Sequence, residues 1–99
     1  MNDRQPGSPK RLQLKEPLMY RYITDPGHGW VEVTREEIDR PGIGPRVSGY
    51  SYTDGARVYL EEDCDAALFV RAKKDRGEPV DFVEVYQERT PIRAMRGWA

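Results

Sequence analysis

From Leu18 the chain alternates. Leu18, Tyr20 and Tyr22 interleave with Met19, Arg21 and Ile23, the period-two pattern of a strand. Asp25-Pro26-Gly27-His28 interrupts it. Pro at the second position fixes φ and Gly at the third accepts a positive φ, which predicts a type II turn. Trp30-Val31-Glu32-Val33 then returns as the second strand of a hairpin.

Thr34-Arg35-Glu36-Glu37 has the form of a capping box, with Val33 and Ile38 placed as its hydrophobic staple. The helix it opens must be short. Pro41 disfavours helical geometry at Arg40, and Gly42, Gly44 and Pro45 extend the break.

Val47 to Thr53 and Ala56 to Glu61 are two β-rich runs around Asp54-Gly55, the signature of a type I′ hairpin. A two-residue turn places Thr53 opposite Ala56, Tyr52 opposite Arg57, Ser51 opposite Val58 and Tyr50 opposite Tyr59. One face then carries Tyr50, Tyr52, Arg57 and Tyr59, and the other Val47, Gly49, Val58 and Leu60.

Asp63 is placed to cap a second helix from about Cys64 to Arg76, with Ala66, Phe69 and Val70 as its apolar stripe. Acids crowd its start, and Lys73, Lys74 and Arg76 its end. Gly77 suits the left-handed position after it, and Pro79 blocks continuation. Val80 to Gln87 alternates again. The order β-β-α-β-β-α-β predicts an α+β fold, a mostly antiparallel sheet of about five strands with two helices on one face.

Composition adds a charge layout. The 99 residues suit a single domain. Residues 1–17 hold four basic and two acidic side chains, residues 18–87 nine and fourteen, and residues 88–99 three and one. The expected organisation is a mobile basic arm over 1–16, one acidic α+β domain over 17–88, and a basic tail or strap over 89–99. An acidic body repels nucleic acid at long range and attracts basic protein surfaces. No apolar run reaches the roughly 20 residues of a membrane span. The N-terminal residues lack a secretory pattern, and the lone Cys64 precludes an internal disulfide, so the expectation is cytoplasmic.

The candidate chemistry is sparse. Glu61, Glu62, Asp63 and Asp65 form an acidic run, but it lacks the further acids and glycine of a calcium loop. Capping accounts for Asp63 and Asp65, while the run as a whole is a candidate surface for a basic partner. Cys64 lies among carboxylates that raise a thiol's pKa, and a Cys-His dyad would require His28 to meet it in space. His28 and Trp30 flank Gly29 beside the first turn and are candidate partner contacts. The Tyr50, Tyr52, Arg57 and Tyr59 face can anchor a protein or stack bases, or be covered within the fold. No metal, no cofactor and no catalytic set is expected.

The strings GHGWVEV, EEI, SGYSY and VYLEEDCDAALF, across roughly residues 27–72, resemble a family of short proteins encoded by bacteriophages, prophages and plasmids. The chain departs from that family at Pro41, where an apolar helix residue is usual. The resemblance brings no activity or functional residue with it. It implies the setting of a mobile element, whose small accessory proteins often inhibit host defence by binding. The expected function is therefore a non-enzymatic protein-binding accessory protein of a mobile element that meets the basic surface of a host protein, inhibition of a host nuclease or CRISPR-type defence effector being one form of it. The alternative is a single-stranded nucleic-acid-binding accessory protein, using the Tyr/Arg face and the basic tails.

Overall fold

The computed structural model describes residues 16–98; the expected N-terminal arm lies almost wholly outside them. The described chain is α+β. Its six strands are β1 (Leu18–Thr24), β2 (Gly29–Thr34), β3 (Tyr52–Thr53), β4 (Arg57–Glu61), β5 (Val80–Tyr86) and β6 (Arg96–Gly97). Its helices are α1 (Arg35–Asp39) and α2 (Ala66–Asp75), with 3-10 turns at Gly44–Arg46 and Pro91–Ala94.

The sheet runs β5-β1-β2-β4-β3-β6. It is mixed, which corrects the mostly antiparallel expectation. β1–β2, β2–β4, β4–β3 and β3–β6 are antiparallel, while β5 runs parallel to β1 from Leu18↔Val80 to Thr24↔Tyr86. The cause is the link after β4. It contains a ten-residue helix, about 15 Å long, which carries the chain past β2 and β1 as a crossover and leaves β5 parallel to β4.

Both sheet faces are covered over the central strands. On the helical face Tyr20, Val31, Val33, Val58 and Leu60 pack with Ile38, Ile43, Val47 and Phe69. On the other face Ile23, Trp30 and Tyr59 pack with Ile92, and Tyr52, Val85 and Met95 close over them. The C-terminal segment therefore lies over the sheet. Thr90 caps its 3-10 turn by accepting from the Ile92 N–H at 3.0 Å, and β6 pairs with β3.

Local chemistry fixes the ends. Thr34 and Glu37 form the capping box as expected, and Val33 and Ile38 are buried in one cluster. At the end of α2, Gly77 takes φ 69°. Its N–H donates to the Lys74 carbonyl and the Glu78 N–H to the Lys73 carbonyl, a Schellman closure.

Three local expectations are corrected. Gly27 does not adopt a positive φ; the Asp25 carboxylate holds the turn, accepting from the Gly27 and His28 N–H groups at 2.9 and 2.8 Å. The second hairpin pairs Tyr52 with Tyr59 and Thr53 with Val58, two residues away from the type I′ register. Asp54 accepts from the N–H groups of both Ala56 and Arg57, which widens the loop, and Gly55 takes φ 102°. Finally, α2 starts at Ala66 rather than Cys64. Glu61 causes this, because its carboxylate accepts from the Asp63 and Cys64 N–H groups at 2.8 and 3.0 Å and holds residues 62–65 in turns.

Candidate functional site: an aromatic and acidic cleft

Asp65 begins the construction of the site. It precedes α2 but makes no side-chain cap bond to it. Its carboxylate instead accepts from the Ser48 N–H at 3.0 Å, the Ser48 hydroxyl at 2.7 Å and the Ser51 hydroxyl at 2.5 Å. Ser51 Oγ in turn accepts from the Glu61 N–H at 3.0 Å. This network bends residues 48–51 out of strand geometry, so the expected strand from Val47 shrinks to Tyr52–Thr53. Tyr50, whose N–H donates to Ser48 Oγ, is held out at 70% exposure.

Tyr50 stands at a cleft of about 370 Å³ lined by His28, Trp30, Tyr50, Tyr52, Glu61, Asp63, Cys64 and Arg93. Trp30 is buried at its base, with Tyr52 edge-on at 6.4 Å and His28 tilted over it at 6.0 Å. The Trp30 indole N–H is buried without a hydrogen-bond partner among the described residues. His28 Nδ1 lies 3.4 Å from Glu61 Oε2. Arg93 packs over the Trp30 ring at 5.4 Å and donates to Asp25 through Nε at 2.6 Å and Nη2 at 3.0 Å. That pairing, with the two turn N–H groups, holds the Asp25 carboxyl well below its ordinary range against the opposing effect of burial. It also neutralises the one guanidinium that the described residues bring to the cleft. The remaining formal charges on the lining, Glu61 and Asp63, are negative.

The candidate residues from sequence therefore divide. His28, Trp30, Tyr50, Tyr52, Glu61 and Asp63 converge on this cleft. Tyr59 does not. It shares a face with Tyr52 but is buried at 6% exposure in the cluster capped by Ile92, and that burial with the nearby Glu32 raises its pKa to about 12. The expected Tyr50–Tyr52–Arg57–Tyr59 platform is thus not a continuous open surface, because the C-terminal segment covers its middle. Arg57 is exposed beside the hairpin loop. Asp65 is buried and structural, and Glu62 lines a separate apolar groove with Tyr22, Val70 and Phe82.

Arg93 and Cys64 are the lining residues that sequence reasoning did not select. Arg93 meets Asp25 across 68 residues, a pairing no local pattern signals. His28 and Cys64 do share the cleft, but the thiol is not activated. Partial desolvation, a hydrogen bond to Glu61 and the charges of Glu61, Asp65 and Asp63 all raise its pKa, which disfavours the thiolate. Among the described residues no group of three or more His, Cys, Asp and Glu side chains is placed to hold a metal ion, and no helix is long and apolar enough to cross a membrane. Compared with protein-family models, curated proteins and solved structures, the chain matches none.

Proposed function

We propose that this protein is a non-enzymatic binding module that seats a basic segment of a partner protein in the Trp30 cleft. One observation carries the reading: among the described residues, four aromatic or imidazole side chains and two carboxylates line one cleft whose only guanidinium is already paired with Asp25. Such a lining suits a Lys or Arg side chain. Tyr50 and Tyr52 offer ring faces to a cation, and Asp63 offers a carboxylate at the rim. Tyr and Trp are also the residues that most often dominate binding energy.

The partner class that fits is a basic nucleic-acid-binding surface, such as that of a host nuclease or CRISPR-type effector. An acidic ligand there would compete electrostatically with nucleic acid. The likeness to mobile-element proteins supports the same class by association only.

The test is calorimetric titration with a lysine- and arginine-rich peptide, followed by inhibition assays on purified effector nucleases. Binding should weaken at least about tenfold for Tyr50→Ala and for Asp63→Lys, the latter by charge repulsion. Equal binding of the peptide by wild type and both variants would overturn the cleft assignment. No inhibition of any effector would remove the defence reading.

A further inference from the structure

β5 is an open edge. It runs seven residues, VDFVEVY, with neither Pro nor Lys and with Asp81 and Glu84 as its charges, whereas edge strands are ordinarily blunted by short length, Pro, charged side chains (Lys above all) or a bulge. The opposite edge, β6, is only two residues long. Among the exposed large apolar side chains, all but Tyr50 lie on β5 and its neighbour β1: Leu18, Met19, Phe82, Val83 and Tyr86.

The hydrogen-bond phase shows which groups β5 offers. The Pro79 carbonyl accepts from Leu18 at 3.0 Å and the Gln87 N–H donates to Thr24 at 2.8 Å. Odd positions between them therefore face β1, and Val80, Phe82, Glu84 and Tyr86 turn their backbone groups outward. The Phe82 N–H accordingly bonds only locally, to its neighbour Asp81 Oδ1 at 2.8 Å.

We propose that β5 pairs antiparallel with β5 of a second copy of this chain, about a two-fold axis at Val83. In that register the outward-facing positions meet one another, Val80 opposite Tyr86 and Phe82 opposite Glu84, so each exchanges ladder hydrogen bonds. Val83 meets Val83, and Asp81 meets Val85. Every carboxylate then stands opposite an apolar residue. A shift of the centre to Glu84 would set acid against acid and shorten the overlap, which disfavours it. Because β6 is too short to template a strand, pairing closes at two copies rather than propagating as a fibre.

Sedimentation of the full chain from about 1 μM to about 1 mM should show a monomer–dimer equilibrium. Val83→Lys, at a position already half exposed, should leave the melting temperature unchanged and abolish the dimer. The axis itself is tested by cross-linking on a Cys64→Ser background. Val83 pairs are non-hydrogen-bonded, with Cα atoms about 4.5 Å apart, within disulfide reach. Val83→Cys should therefore oxidise to a covalent dimer, whereas Phe82→Cys, which faces Glu84, should not. A monomer across the whole range, a dimer that survives Val83→Lys, growth beyond two copies, or equal cross-linking of the two cysteine variants would each overturn the proposal.

Discussion

Two tyrosines nine positions apart in the chain behave oppositely. Tyr59 lies under Ile92, while Tyr50 is held into solvent by Ser48. Tyr59→Ala should cost about 3–5 kcal/mol, as other aromatic truncations in cores do. Tyr50→Ala should stay within about 0.5 kcal/mol while losing affinity for the basic peptide. Urea melts of the two variants check this. The Asp25–Arg93 pair makes a pH prediction. The folded carboxyl titrates below its unfolded value near about 4. Its contribution is complete above that value and drains as pH falls through the folded pKa. Wild-type stability should therefore drop between about pH 4 and pH 2, and Asp25→Asn should flatten that drop. Denaturant midpoints measured across the range decide it.

At the scale of elements, what reads from sequence is what local chemistry dictates. The alternation of Leu18–Ile23, the Thr34–Glu37 box and the Gly77 terminus all specify their structure within a few residues. The second hairpin shows where that stops. Asp54-Gly55 marks the turn, but the Asp54 carboxylate takes two N–H groups and moves the register by two. The shift is even, so Tyr52 and Tyr59 still share a face. Six of the site residues were legible as aromatic or acidic side chains near turns. Their convergence was not, because it depends on Asp65 gripping residues 48–51 and on Arg93 reaching Asp25. The burial of Tyr59 was illegible for the same reason: its cover, Pro91–Ala94, carries no periodic pattern. Ile92 anchors that cover at 2% exposure. Ile92→Ala should cost about 2–5 kcal/mol and shift Trp30 emission to longer wavelength as water reaches the second face. Unchanged emission with intact stability would mean the segment does not seal it.

For the whole molecule, sheet order and charge act together. Residues 16–98 carry more acidic than basic side chains, so encounter with a basic partner should be steered electrostatically. Raising ionic strength from about 0.05 to 0.5 M shortens the screening length severalfold. The association rate with the lysine- and arginine-rich peptide should fall over that range while dissociation changes less, a split that stopped-flow fluorescence resolves. A salt-independent association rate would argue for purely apolar docking.

The order of translation gives the Asp25–Arg93 contact a temporal meaning. Ribosomes deliver β1 and β2 first and the Thr90–Trp98 segment after every strand it covers. β1 must likewise wait some sixty residues for its parallel neighbour. Until Arg93 emerges, Asp25 is an uncompensated carboxylate and Trp30 lacks the cation over its ring. The proposed cleft therefore cannot take its folded form before the chain has been made as far as Arg93.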